Sequence, residues 1–212
     1  MKTTLTLGMI MFALSFCGLQ ERLQSLTGGG NSNTSSTNSN SSTSSSGGDK
    51  VEAAKPTSAQ QAIIDAGTEA KWDEQGISWK LPSGWKKQSV AKEQFFYMGP
   101  DNSSIIVSIS AMPDSFPMDV SQKAYYEQAL QQVKNGKYES AKMVEIDGVQ
   151  GVEFTEVSPA KSDDVRRHQW IAYRTYLGQK QQVNIITATK GANFSKHSDE
   201  FTAIIYSTKF VK

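Results

Sequence analysis

The stretch that decides the fold reads HQWIAYRTYLGQKQQVNIITAT and spans residues 168–189. It contains two long runs, 168–176 and 182–189, in which apolar and polar residues alternate. Gly178 lies in the short segment between the runs, as is typical of a tight turn. The sequence therefore predicts two long paired strands.

The first of these strands has bulky side chains on both of its faces. Because successive side chains of a strand point to opposite faces, Trp170 and Ala172 share one face. Ile171, Tyr173 and Thr175 share the other. A strand that is bulky on both faces is expected in a sheet with a layer packed on each side.

Shorter apolar runs predict further strands around this pair. They end in residues that favour turns, and the Asp147-Gly148 pair is typical of a hairpin. The same holds for Gly99-Pro100-Asp101-Asn102. The predicted strands are 76–81, 94–98, 104–110, 143–146 and 151–157.

Two segments have helical periodicity. Residues 121–133 have an apolar stripe, with Ser121 as the predicted N-cap and Gly136 at the predicted end. A closing helix is predicted over residues 195–207. The sequence thus predicts an α+β fold, a central antiparallel sheet with helices packed on its faces. The apolar stripe of the closing helix consists of Phe201, Ile204 and Ile205.

The first residues are typical of an export signal. Lys2 precedes the largely apolar run 5–16, which is shorter than the roughly 20 residues that a membrane-spanning helix needs. Its length suits the apolar region of a signal peptide, which we predict over residues 1–16. The alternative is a buried helix of a cytosolic protein, but polar low-complexity sequence follows at once.

The residues before Cys17, the only cysteine of the chain, resemble a bacterial lipobox. The segment is Leu14-Ser15-Phe16-Cys17, with Phe16 where the pattern has a small residue. The resemblance implies cleavage before Cys17 and a lipid, such as palmitate, on that residue. The alternative is cleavage after the small residues Ala13 and Ser15, which would leave a soluble periplasmic or secreted protein with a free thiol.

A low-complexity segment follows the predicted anchor. Residues 27–48 are all Gly, Ser, Thr or Asn, and such a segment cannot bury enough apolar surface to offset the entropy of ordering. We therefore predict a lipid anchor and disordered linker over 17–50. Residues 51–75 are predicted as a short helix or an ordered lead-in, and 76–212 as the folded domain.

The composition excludes several classes of protein. Lys and Arg total 22 and Asp and Glu total 21, so the net charge of +1 creates no field that attracts nucleic acid. A single cysteine allows neither an intramolecular disulfide nor a thiolate metal cluster. Nucleic acid is therefore not an expected partner.

The sequence has no motif of a catalytic, metal or cofactor site. His168 and His197 are not at ligand spacings, and we expect both at the surface or at a strand end. Asp163 and Asp164 are expected at a solvated hairpin tip. Phosphate-binding loops, dinucleotide fingerprints and nucleophile elbows are absent from the sequence, so no cofactor is predicted and the ligand-binding residues stay open.

The layout resembles the PsbP/DcrB-like domain over about residues 76–210. The resemblance is carried by WKLPSGW at 79–85, IDGVQGVEF at 146–154, the two long strands and the closing helix. It implies an α/β/α sandwich on an antiparallel sheet. It also implies a role as a binding or assembly module without catalysis, as in bacterial envelope lipoproteins and photosystem accessory subunits.

We therefore expect a non-catalytic lipoprotein of the cell envelope, anchored to a membrane, the outer membrane by preference, and binding an envelope protein. The alternative is an envelope hydrolase whose site is assembled from residues far apart in the sequence. A deep pocket that encloses His168 or His197 beside a carboxylate would favour the hydrolase.

Overall fold

The computed structural model describes residues 50–211 and confirms the predicted α+β class. The predicted signal peptide, Cys17 and the predicted linker up to residue 49 lie outside the described residues. None of the described helices is both long and apolar enough to cross a membrane.

The helices are α1 (Ser58–Ala66), α2 (Met118–Lys134) and α3 (Gly191–Tyr206). The strands are β1 (Glu52–Ala53), β2 (Thr68–Trp72), β3 (Ile77–Leu81), β4 (Lys86–Ala91), β5 (Gln94–Met98), β6 (Ser104–Ala111), β7 (Tyr138–Ile146), β8 (Val149–Glu156), β9 (Val165–Tyr176), β10 (Gln179–Lys190) and β11 (Lys209–Phe210).

Eight strands form the main sheet, in the order β1-β7-β8-β9-β10-β6-β5-β4. All neighbours are antiparallel except β1 and β7. The predicted hairpins are confirmed. Asp147 and Gly148 form the turn between β7 and β8, with φ angles of 50° and 84°. Leu177 and Gly178 form the turn between β9 and β10, with φ angles of 48° and 79°. Positive φ at both turn residues matches the twist of the paired strands.

The sheet has a packed layer on each face, as the alternation along β9 predicted. Ile171 lies on the face covered by α2, in a cluster with Ala129 and Phe154. Trp170 lies on the opposite face, in a larger cluster with Ile204 of α3. A second sheet, in the order β11-β3-β2, belongs to that same layer. The result is an α/β/α sandwich with a small sheet in one outer layer.

Two predicted helix ends need correction. α2 begins at Met118 rather than at Ser121, and Pro117 is its N-cap residue. The N–H of Ser121 donates to the Pro117 carbonyl at 3.0 Å, so Ser121 lies within the first turn. α3 begins directly after β10, at Gly191. The apolar stripe of α3, Phe201, Ile204 and Ile205, is buried as predicted.

The ordered structure also begins earlier than residue 76. Residues 51–75 include β1, α1 and β2, and β2 pairs with β3 from Thr68 to Trp72. Ala70 and Trp72 alternate with exposed residues and are buried. The predicted boundary therefore falls inside the small sheet.

Candidate functional site

His168 is buried inside β9, so the prediction of a surface or strand-end position is wrong. Its Nε2 lies 2.7 Å from Oε1 of Glu153. The other oxygen of that carboxylate accepts a 2.8 Å hydrogen bond from the Tyr206 hydroxyl. Lys142 Nζ donates to the Tyr206 oxygen at 2.9 Å and lies 3.5 Å from Glu153 Oε2. We call these four residues the Glu153 network.

The charges of the Glu153 network support one another. Burial alone would raise the pKa of Glu153, but the hydrogen bond and charge of His168 and the charge of Lys142 lower it overall. Burial would lower the pKa of Lys142, yet Glu153 and Tyr206 raise it overall. Burial and the Glu153 charge raise the pKa of Tyr206 to about 12. At neutral pH a carboxylate and an ammonium group therefore flank a neutral phenol.

His197 is buried as well, which corrects the second histidine prediction. Its Nδ1 lies 2.7 Å from Glu200 Oε2, and its Nε2 lies 3.1 Å from Asp101 Oδ2. Both ring nitrogens therefore face carboxylate oxygens, one from α3 and one from the loop before β6. Hydrogen bonds from Lys196 and then from His197 lower the pKa of Asp101. This cluster joins the loop before β6 to α3.

Neither histidine has the access that catalysis needs. A histidine and a carboxylate act on a substrate only where the substrate reaches them. Two clefts of the described chain are lined by neither His168 nor His197, and only Glu200, a partner of His197, borders the smaller one. Within residues 50–211 no three His, Cys, Asp or Glu side chains are grouped to hold a metal. In the folded chain the contacts of the two histidines join β9 to β8 and α3 to the loop before β6.

Asp163 and Asp164 lie in the exposed connection between β8 and β9, as predicted. Asp163 pairs with Lys190 at 2.9 Å. The backbone carbonyl of Asp164 accepts a 2.9 Å hydrogen bond from Gly191 N. The two residues thus hold the loop against the start of α3.

A cleft of about 710 Å³ opens where the beginning of α2 faces the ends of β8 and β9. We call it the split-sheet cleft. The β8–β9 pairing ends at Gly151 and Ala172. Beyond that point Val149 and Gln150 pair with β7, and residues 173–175 pair with β10. The two strands diverge there, and residues from both faces of the sheet line the cleft.

Gln122 of α2 lines this cleft with an amide that is only partly paired. Its side chain is 8% exposed, and its Nε2 makes a long 3.4 Å hydrogen bond to the Ile171 carbonyl. Its Oε1 is buried and has no hydrogen-bond partner in the described chain. A buried oxygen without a donor costs free energy, so the site favours a ligand that donates a hydrogen bond.

Arg174 of β9 lines the cleft from the opposite face of the sheet. Its Nε donates to Gln181 Oε1 at 3.2 Å and its Nη2 donates to the Gln75 carbonyl. The rings of Tyr176 and Phe210 lie 4.6 and 5.2 Å from the guanidinium carbon. Its Nη1 has no partner among the described residues. Burial lowers the pKa of Arg174 to about 10.

The fold and the cleft define a small α/β/α sandwich with an opening at the split end of its sheet. No model of a known protein family matches the sequence, and a comparison with curated proteins finds no match. Cyanobacterial PsbP (CyanoP) from Synechocystis sp. PCC 6803 is similar in structure, at 14% identity and a TM-score of 0.44, over 69% of this chain and 94% of that one.

Further similar structures come from other bacteria. LpqN of Mycobacterium tuberculosis, a protein involved in cell envelope biogenesis, is 14% identical with a TM-score of 0.48, over 69% of this chain and 86% of LpqN. A Bacteroides thetaiotaomicron protein is 17% identical with a TM-score of 0.46, over 69% of this chain and 49% of that one. This chain therefore spans about half the length of the latter. Likeness at this level concerns the fold, and the function depends on this chain's own residues.

The sequence did not predict the cleft residues. Gln122 looks like an ordinary polar residue of a helix, and the divergence of β8 from β9 has no local signature. Arg174 did leave a signal, because it shares a face of β9 with Trp170 and Ala172. A charged residue on the core side of a strand is unusual and points to a partner or a ligand.

Proposed function

We propose that this chain is a non-catalytic binding protein of the cell envelope, anchored by a lipid on Cys17, that holds its ligand in the split-sheet cleft. The observation that carries the proposal is the cleft itself. It combines an open volume of about 710 Å³ with two nearly buried polar side chains, Gln122 and Arg174, that each have an unpartnered atom. Binding sites typically join apolar walls to a few such polar groups.

The groups that line the cleft suit binding better than catalysis. A general acid or base works best with a pKa near the working pH. Burial raises the pKa of Tyr173 and lowers that of Arg174 to about 10, so neither group changes its protonation state near neutral pH. The acid and base partners of His168 lie in the Glu153 network, away from the cleft lining.

The anchor is supported by the place of Cys17 after the apolar run 5–16. Several buried acyl chains, at about 0.8 kcal/mol per CH₂, give stable membrane attachment. Cells fed labelled palmitate should label the wild-type chain and leave Cys17→Ala unlabelled. Equal labelling of the two, or no label in either, contradicts the anchor.

The cleft is tested by photo-crosslinking in living cells. A photoreactive phenylalanine derivative replaces Thr175, an exposed residue that lines the cleft. The matched control carries it at Ser89, an exposed residue of β4 outside the cleft. A discrete adduct is expected at position 175 and none at position 89. The same pattern at both positions, or no adduct at 175, contradicts a binding role for the cleft.

A further inference from the structure

We infer that the split-sheet cleft binds the carboxy-terminal end of an apolar peptide, pairing the peptide carboxylate with Arg174 and a peptide N–H with Gln122. The inference rests on the proposed binding function and adds the chemistry of the ligand. Both groups line the same cleft from opposite faces of the sheet.

Arg174 is the group that calls for an anionic ligand. Its guanidinium is buried, yet no carboxylate of the described chain pairs with it. A buried cation is unfavourable unless an opposite charge accompanies it, and the lowered pKa of Arg174 reflects that unfavourable burial. A ligand carboxylate would provide the missing charge.

The guanidinium is also held in place for such a partner. Gln181 and the carbonyl of Gln75 accept from Nε and Nη2, while the rings of Tyr176 and Phe210 lie beside it. Nη1 is left as the donor without an acceptor. A donor that is fixed before binding loses little conformational entropy when the carboxylate arrives.

Gln122 restricts the ligand to one that donates a hydrogen bond. Its buried Oε1 needs a donor, and a carboxylate on a hydrocarbon chain has none to offer. A peptide terminus carries an anionic acceptor and, within the same few atoms, backbone N–H donors. One ligand of this class therefore satisfies both unpartnered atoms.

The remaining walls combine charged residues, Asp119 and Lys123, with an apolar part that suits an extended apolar peptide. Val51, Met118, Met143 and Val149 line the cleft, and methionine side chains adapt to varied apolar shapes. Where β8 and β9 diverge, Val149 and Gln150 have no ladder partner on β9. Their backbone groups can pair with an extended peptide, as in strand addition.

Entry requires local movement. Both Nη1 of Arg174 and Oε1 of Gln122 are shielded from solvent in the unliganded chain. The side chains above them must part as the peptide enters. The absence of ladder pairing between β8 and β9 beyond Gly151 leaves that end of the sheet free to open.

The test measures binding of a fluorescein-labelled apolar pentapeptide to the full chain in detergent by fluorescence polarisation. The same peptide with an amidated terminus is the matched ligand. Wild type should bind the free acid at least tenfold more tightly than the amide. Arg174→Met should lower the acid-to-amide ratio to about one, and Gln122→Met should weaken both peptides equally. Arg166→Met, which removes an arginine outside the cleft lining, should keep the ratio.

Equal binding of acid and amide to wild type overturns the inference, and this comparison needs no variant to fold. An unchanged ratio in a folded Arg174→Met overturns it as well. Dodecanoate competes as a carboxylate without N–H donors. If it displaces the peptide at concentrations below those of the unlabelled peptide itself, the ligand is a lipid carboxylate and the peptide assignment fails.

The crosslinking experiment separates this inference from the proposed function. An adduct at position 175 without any acid preference retains the binding role and rejects the peptide terminus. No adduct and no peptide binding reject both.

Discussion

Two buried polar residues on the same face of β9 have different surroundings. His168, near the start of the strand, faces Glu153, and Arg174, near its end, faces no carboxylate of the described chain. The two charged groups are buried alike, since Glu153 is 6% exposed and Arg174 is 7% exposed. Equal burial therefore accompanies different surroundings, a paired carboxylate in one case and a guanidinium without a carboxylate in the other.

The pairing of the strands explains the difference. In the continuous part of the β8–β9 ladder Thr155 pairs with His168 and Glu153 pairs with Trp170, so Glu153 and His168 are diagonal neighbours on adjacent strands. Arg174 lies beyond the last pair, Gly151 and Ala172, where no strand residue of β8 is held opposite. The closed part of the ladder thus holds Glu153 beside His168, and the proposed binding site lies where the ladder ends.

Ile204→Ala tests whether α3 packs on the face of the sheet that carries Trp170. Ile204 is fully buried in the same cluster as Trp170. Removing a buried isoleucine side chain to alanine costs about 2–5 kcal/mol, because it leaves a cavity. We expect the largest loss of stability here, measured by urea unfolding. Lys196→Ala, on the exposed side of α3, should leave stability nearly unchanged. Equal stability of the two variants would show that α3 is not docked.

Glu153→Gln removes the carboxylate at the centre of the Glu153 network. The amide keeps the shape but leaves Lys142 without its counter-charge and removes the carboxylate that faces His168. Removing one partner of a buried pair costs about 3–5 kcal/mol, and we expect the lower end because the Lys142 side chain is 43% exposed. Urea unfolding should show the loss with an unchanged m-value. Glu139→Gln, whose side chain is 62% exposed beside Arg166, should lose about 0–1 kcal/mol. Similar losses would mean that the Glu153 network is not structural.

Acid should weaken the same network to a lesser degree. The pKa of Glu153 is lowered in the folded chain from its usual 4.5, so the folded state binds its proton less readily than the unfolded state. Its contribution is complete above pH 4.5 and is lost as pH falls through the lowered pKa. Between pH 5 and pH 3 the unfolding free energy of wild type should fall more steeply than that of Glu153→Gln. Parallel curves contradict the assignment.

The sequence predicted the regular elements because their signals are local. The two-residue alternation of β9 and β10 and the apolar stripe of α3 identified the α/β/α layers. The short β2 strand was missed, since only Ala70 and Trp72 mark its buried side. The pairing of Glu153 with His168 could not be predicted without the register of β8 on β9. For the same reason the cleft, which exists only where that register ends, was not predicted.

Arg174→Met should change the stability less than either Ile204→Ala or Glu153→Gln does. The change removes a buried cation and its desolvation penalty, and methionine fills a similar volume between Tyr176 and Phe210. It also removes the hydrogen bonds to Gln181 and to the Gln75 carbonyl, which offsets the gain. Replacing an unpaired buried charge by an apolar side chain is often neutral or stabilising, so we expect a change within about 1 kcal/mol. Urea unfolding beside Glu153→Gln measures the difference. A loss of about 3 kcal/mol or more would place Arg174 among the structural charges, because its contacts to Gln75, Gln181 and the rings would then outweigh its unpaired charge.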